Sequence, residues 1–306
     1  MQGIEVRFAD PKDPKNFEKL TDEKTRAYYG ESCPNPSLRI FPIKEVADIG
    51  RKHGIPLIID NTAAPVICRP LEHGAAVVMH SLTKYIGGHG TTIGGIIVDG
   101  GNFDWAANPK KQPLFNEPDP SYNGAIWGRD VPKMTGANVA FAIRARVVLL
   151  RDLGAPLSPF NAFQIIQGLE TVAIRMKQHC ANAEKVVKFL ETQKKVKNVI
   201  YPTNHQGEIR DRAKRYMKGG YGSLVGMDLG SLEAGSKFIN NLKLLYHVAN
   251  IGDARSLAIH PASTTHGQLN EKQLAEAGVT PGYVRLSIGI EHPDDIIADI
   301  EQALAA

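Results

Sequence analysis

The stretch His80-Ser81-Leu82-Thr83-Lys84-Tyr85-Ile86-Gly87-Gly88-His89-Gly90, preceded by the apolar run Pro56-Leu57-Ile58-Ile59-Asp60, decides how this chain is read. A lysine that follows an apolar strand on a glycine-rich turn can be partly desolvated, which lowers its pKa and makes the amine reactive towards an aldehyde. The hydroxyls of Ser81 and Thr83 precede it at positions suited to phosphate oxygens, and the glycines allow the backbone to approach a bulky ligand closely. An aspartate that closes the preceding strand can pair with a protonated ring nitrogen. Taken alone, Asp60 would cap its own turn with Asn61 and Thr62. Taken with Lys84, it belongs to a pyridoxal phosphate (PLP) site.

Outward from this stretch, the first half alternates short apolar strands with helical patterns. Strands are predicted over 25–32, 57–60, 75–81 and 94–99, each bounded by Gly, Pro or Asn. Residues 43–52 are amphipathic at helical spacing and are followed by His53-Gly54, a helix C-cap signal. That βαβ arrangement predicts parallel strands covered by helices, and such sheets bind ligands beyond the carboxyl ends of their strands, where Asp60 and Ser81 fall. Residues 102–133, with Pro109, Pro113, Pro118, Pro120, Pro132, Trp105 and Trp127, are expected to form a long irregular excursion. Helices are predicted over 138–152 and 160–192, the second long enough to link two domains. From about residue 199 the pattern becomes α+β, with strands over 199–201, 224–229 and 284–288 and helices around 232–242 and 294–305. The expected division is a large domain over 1–172 and a smaller α+β domain over 173–306.

The chain has 306 residues, 42% hydrophobic and 22% charged, with a formal net charge of +4, an ordinary globular mix. Its densest basic clusters, Lys194-Lys195-Val196-Lys197 and Arg210 to Arg215, suit solvated helix faces or ends better than a nucleic-acid patch. Cys33, Cys68 and Cys180 are odd in number and far apart, so neither a zinc site nor a disulfide framework is indicated, and a reducing compartment fits best. No signal peptide opens the sequence and no run of about 18 apolar residues could span a bilayer. A cytoplasmic location, without nucleic-acid or membrane partners, is expected.

Other motifs carry less. Gly87-Gly88-His89-Gly90 matches neither nucleotide-binding glycine pattern, and no histidine pair has the spacing for one metal, so no metal is expected. Arg285, in Tyr283-Val284-Arg285-Leu286-Ser287-Ile288-Gly289, interrupts an otherwise apolar strand. A buried arginine needs a partner; an internal carboxylate and a ligand carboxylate both satisfy the pattern.

With Asp60-Asn61-Thr62, Ser81-Leu82-Thr83-Lys84 and Arg285 followed by Leu-Ser-Ile-Gly-Ile-Glu, the chain resembles the cystathionine/methionine-metabolism family of PLP enzymes. The run 87–95, the excursion through Trp105 and Trp127, and Ser256 to His266 resemble its O-acetylhomoserine sulfhydrylase branch in particular. The resemblance runs from Gly3 to near the C-terminus. It implies an α/β, aspartate-aminotransferase-type PLP-dependent transferase, with a mostly parallel sheet in the large domain, assembled as a dimer of dimers. Lys84 would carry the cofactor, Asp60 would pair with its ring nitrogen, and Ser81 and Thr83 would contact its phosphate. Asn35 would touch the cofactor and the substrate, and Arg285 would bind the substrate carboxylate with help from Ser256. The implied reaction is γ-replacement on O-acetyl-L-homoserine by a sulfur donor, sulfide or methanethiol, giving homocysteine or methionine and acetate. Cystathionine γ-synthase or methionine γ-lyase chemistry is the alternative within the family.

The resemblance also implies an N-terminal portion, a quarter to a third of the family's length, that the sequence does not contain. Before Asp60 the only glycines are Gly3, Gly30, Gly50 and Gly54, and none opens a helix whose free amides could cradle a phosphate. Nor is there a candidate for an aromatic side chain stacked on the cofactor ring. A catalytically inert fragment or interaction protein is therefore the alternative of another class.

Overall fold

In the computed structural model, residues 3–265, 267, 268, 273, 274 and 278–306 are described. Four strands form the first sheet, in the order β1 (Tyr28–Glu31), β2 (Leu57–Asp60), β3 (Val77–Ser81) and β4 (Gly95–Asp99). The first three are parallel and β4 runs antiparallel to β3, so the sheet is mostly parallel, as expected. Between β1 and β2, helix α1 (Ile43–His53) buries Ile43, Val46, Ala47 and Gly50. Gly54 ends it in the left-handed conformation, with φ 66° and its N–H returned to the last turn, the geometry in which glycine carries no Cβ penalty.

The excursion departs from expectation. Trp105 and Trp127 are buried with Phe103, Phe115, Val131 and Ala140 in a compact cluster against Ala76 and Val77 beside the sheet. Residues expected to be irregular form helix α2 (Trp127–Thr135), with Pro132 inside it. Burying two indoles and their neighbours outweighs the one backbone hydrogen bond that the proline deletes.

Helix α3 (Pro159–Glu191) joins the two halves along its length. Ile165, Val172, Met176 and Cys180 enter the core beneath the first sheet, whereas Ala183, Val186, Val187 and Leu190 enter the core of the second. The second sheet has the order β5 (Asn198–Ile200), β6 (Leu224–Asp228), β9 (Tyr283–Ser287), β8 (Leu257–Ile259) and β7 (Tyr246–His247), antiparallel except for the parallel β7–β8 pair. Two of these strands, β7 and β8, were not expected, because neither shows a period in its stretch of sequence. Helices α4 (Gly207–Tyr216), α5 (Leu232–Asn241) and α6 (Pro293–Ala305) complete this half.

The basic cluster on α4 is not a fully solvated face. Arg212 is buried and donates to the carbonyls of Pro11 (3.0 Å) and Lys12 (3.1 Å). Tyr216 donates to Glu45 at 2.7 Å, and Arg215 pairs with the same carboxylate at 2.6 Å. The helix thus docks the C-terminal half on α1.

Candidate active site

Lys84 sits where β3 gives way to a tight turn. Its N–H donates to the Ser81 carbonyl (3.2 Å), and Gly87 and Gly88 donate back to Leu82 (2.9 Å) and Lys84 (2.8 Å). The neighbouring Tyr85 is fully buried, its hydroxyl 2.8 Å from that of Ser223. Beneath the turn lies Arg175 of α3, whose guanidinium donates to the carbonyls of Tyr85 (2.7 Å), Ile86 (3.0 Å) and Gly168 (2.6 Å) and to the Thr171 hydroxyl (3.1 Å).

This contact corrects the reading of the glycines. A Cβ on Gly88, which has φ +75°, would stand 2.2 Å from Arg175 Nη1, and one on Gly87 would stand 2.6 Å from the Leu82 carbonyl oxygen. On the α3 side, a Cβ on Gly168 would fall 2.3 Å from the Gly87 oxygen. Gly88 and Gly168 make room for the guanidinium and for the close packing of α3 on the turn, and Gly87 for the turn's own carbonyl. Gly90 similarly makes room for the Asp253 carboxylate.

The Lys84 amine donates to Oδ1 of Asn250. Burial, and then the positive charge of Arg285, lower its pKa from the usual lysine value. Arg285 donates through Nη2 to the main-chain carbonyl of the same Asn250 at 2.9 Å. Its Nε is buried without a hydrogen-bond partner, and burial lowers its pKa. Among the described residues no carboxylate pairs with this guanidinium, so none of them supplies the internal salt bridge left open by the sequence. A cavity of about 250 Å³ opens beside Asn250, between Gly90, Tyr246 and Arg255.

The other candidates gather around the carboxyl ends of the strands. Asp60 caps its turn through the Thr62 N–H (2.8 Å) and accepts from the Tyr29 hydroxyl at 3.4 Å. Loss of solvent, followed by the Asp60 charge, pushes that phenol up to about 12, which keeps it a donor. The Thr62 hydroxyl accepts from Ser81 N–H at 2.7 Å and ties β2 to β3. The Thr83 hydroxyl oxygen accepts from Gly94 N–H at 3.2 Å. Asn35 is exposed on the loop after β1, and the next residue's carbonyl, on Pro36, accepts from the Tyr283 hydroxyl of β9 at 3.3 Å. That loop therefore lies against the strand that carries Arg285.

Ser256 is placed differently from expectation. Fully buried, it donates its hydroxyl to Glu291 (2.9 Å) while that oxygen accepts from Gly289 N–H (2.8 Å), and its own N–H donates to Glu291 (2.6 Å). With both groups engaged, it braces the turn after β9 and does not offer a donor to a substrate. His266, at the end of the Ser256 to His266 motif, lies outside the described residues.

The Cys/Met metabolism PLP-dependent enzyme family matches residues 1–305. The chain belongs to this family. It is 50% identical to the O-acetyl-L-homoserine sulfhydrylase of Leptospira meyeri over 309 residues, which cover 99% of this chain and 69% of that protein. It is 46% identical to the O-acetyl-L-homoserine sulfhydrylase 1 of Thermus thermophilus, covering 99% of this chain and 71% of the relative. The homocysteine synthase of Schizosaccharomyces pombe is 44% identical, with 99% and 70% covered. Among solved structures, a Campylobacter jejuni protein assigned as an O-acetylhomoserine (thiol)-lyase superposes with a TM-score of 0.91 at 40% identity. That comparison covers 99% of this chain and 72% of the other, which carries N'-pyridoxyl-lysine-5'-monophosphate. The chain thus has the α/β fold of PLP-dependent enzymes of this family, and its cofactor is PLP.

The residues present fit that cofactor. A partly desolvated amine stands just beyond the end of β3, and a half-buried guanidinium beside it has, among the described residues, one buried N–H without a partner. Asn250 and Arg175 were not found from the sequence, and Glu291 stood there only as the end of the Arg285 motif, without a role. Asn250 stands in a loop without pattern, so nothing marked it. Arg175 had a signal, since with Gly168, Val172, Met176 and His179 it lies on the buried stripe of α3, and a cation on such a stripe must serve something.

Proposed function

We propose that the chain catalyses γ-replacement on O-acetyl-L-homoserine by a small sulfur nucleophile, sulfide or methanethiol, giving homocysteine or methionine and acetate. The observation that carries this reading is a half-buried Arg285, paired with no carboxylate among the described residues, beside the partly desolvated Lys84 amine. One group suits the carboxylate of an amino-acid substrate and the other an aldehyde. The names of the relatives supply the homoserine ester and the sulfur chemistry.

Lys84 would hold the cofactor, with Asp60 at its ring nitrogen, Ser81 and Thr83 towards its phosphate, and Asn35 at the cofactor and substrate side. When bound, PLP supplies an electron sink that lets protons leave the substrate's α and β carbons. Lys84 Nζ, more readily neutral than a solvated lysine, moves those protons. Arg285 orients the substrate through its carboxylate, and Asp60, kept in place by Thr62 and Tyr29, holds the ring-nitrogen proton.

Residues 1–172 would form the cofactor half and 173–306 the C-terminal half, joined through α3. On α3 the apolar side chains Phe160, Phe163, Ile166 and Ile174 are exposed. Such a face is what an assembly buries, and it supports a homo-oligomer, a dimer of dimers. Among the described residues no helix is long and apolar enough to cross a membrane. The three free, buried thiols support a reducing, cytoplasmic setting.

The test is to incubate the chain with PLP, O-acetyl-L-homoserine and sulfide and to quantify homocysteine and acetate. Equimolar products that vanish in Lys84→Ala are expected. Release of ammonia and a 2-oxo acid from methionine without replacement would point to a γ-lyase instead. A chain that develops no visible absorbance with PLP and turns nothing over would be inert, and the reading would fail.

A further inference from the structure

Asn250 reaches two functional groups with two different atoms. Its side-chain Oδ1 accepts from the Lys84 amine, and its main-chain oxygen accepts from Arg285 Nη2 at 2.9 Å. An ammonium can only donate, so the amide oxygen, not its nitrogen, must face Nζ. The loop that presents Asn250 is fastened to the lysine turn along its length. Gly252 donates to the Ser287 hydroxyl at 3.0 Å, and a Cβ on it would meet the Tyr85 ring at 2.6 Å. Two residues on, Ala254 donates to the Gly88 carbonyl at 2.8 Å, and the Ala254 carbonyl accepts from Ile290 at 2.8 Å. A residue held this firmly fixes whatever hangs from it.

We propose that Asn250 is a positioning residue that sets the place of the Lys84 amine through its side chain and, independently, the place of the Arg285 guanidinium through its main chain. The proposal rests on the reading of Lys84 and Arg285 given above. A neutral acceptor suits the task. Oδ1 can accept from Nζ whether the amine is charged or neutral, so it fixes position while favouring the ammonium only modestly. A carboxylate in its place would favour the ammonium. Lys84 and Arg285 already repel each other, and among the described residues no acidic side chain is paired with either. Because the guanidinium hangs from the main chain, a side-chain substitution at 250 separates the two roles.

The experiment uses the 306-residue chain without cofactor, pulse-acetylated at a series of pH values, with labelling of each lysine read by mass spectrometry and the remaining lysines as internal standards. Asn250→Asp should slow Lys84 labelling near neutral pH by tenfold or more, corresponding to a rise of one pKa unit. Asn250→Leu, similar in volume but without an acceptor, should speed it by threefold or more, because the hydrogen bond to the charged form is lost. A residue that merely filled space would leave the Leu variant at the wild-type rate, and a rate within twofold would overturn the proposal. Should Asn250→Leu fail to fold by circular dichroism, Asn250→Ser, too short to reach Nζ, carries the same expectation. In cofactor-loaded protein, Asn250→Ser should lower kcat with KM for O-acetylhomoserine within twofold. PLP absorbance in wild type against Lys84→Ala tests the underlying assignment separately. Opposite labelling shifts without PLP attachment would sink the functional reading and leave the Asn250 contact standing.

Discussion

Replacing Arg175 with methionine tests whether the turn that presents Lys84 is held from below by a buried cation. The guanidinium is the donor to the Tyr85 and Ile86 carbonyls at 2.7 and 3.0 Å. Left unpaired, each buried carbonyl costs about 1–3 kcal/mol. Part of this is offset, because an expensive charge is no longer buried and methionine fills the irregular space, leaving a net loss of about 2–4 kcal/mol. With an unfolding entropy of about 2.1 cal/mol/K per residue over 306 residues, Tm should fall by about 3–6 °C. A double-mutant cycle makes the test sharper. Gly88→Ala in the wild type carries both a left-handed backbone penalty of about 1–2 kcal/mol and a Cβ placed 2.2 Å from Nη1. In the Arg175→Met background the flexible methionine can yield to that Cβ where the hydrogen-bonded guanidinium cannot, so the two changes should be less than additive by about 1–2 kcal/mol. Differential scanning calorimetry on the four proteins measures this. Strict additivity, or an Arg175→Met Tm within about 1 °C of wild type, would refute the idea that Gly88 exists to admit this guanidinium.

Arg285→Ala should raise KM for O-acetylhomoserine by about 10- to 100-fold, matching the roughly 1.5–3 kcal/mol of a charged hydrogen bond; steady-state kinetics with unchanged constants would remove its role as a carboxylate anchor. Ser256→Ala should lower Tm by about 2–4 °C through loss of its bond to Glu291, with KM within twofold, whereas a large KM effect and no thermal effect would restore a substrate-binding role. His179, fully buried, has its pKa lowered to about 4 by burial. The unfolded chain therefore binds the proton first, and stability should fall from about pH 6.5 to pH 4 at up to about 1.4 kcal/mol per unit. Urea titrations across that range should show a smaller slope in His179→Phe, and an equal slope would exclude His179 as the cause.

How much could be read without coordinates depended on whether the signal was local. Strands β2, β3 and β4 and helix α1 were legible because apolar periodicity and the Gly54 cap lie within a few residues of one another. The placement of Asp60 at the end of β2 and of Lys84 just after β3 was legible for the same reason. The excursion was misjudged because prolines speak locally for irregularity, whereas the burial of Trp105 and Trp127 depends on Phe141 and the sheet, distant in the chain. Strands β7 and β8 show no period in their stretches of sequence.

By itself the sequence determined the fold class, the strand ends and the place of Lys84 on the turn after one of them, since all three follow from residue type and short-range order. What only the tertiary structure decided was which groups face one another. It made Gly88 a seat for Arg175, and Ser256 a brace for Glu291. It also brought Asn250 between Lys84 and Arg285. Those pairings join residues up to 166 positions apart. Residue type and short-range order hold no record of them, because they arise only when the strands and loops of each half pack, and, for Asn250 and Lys84, when the two halves meet.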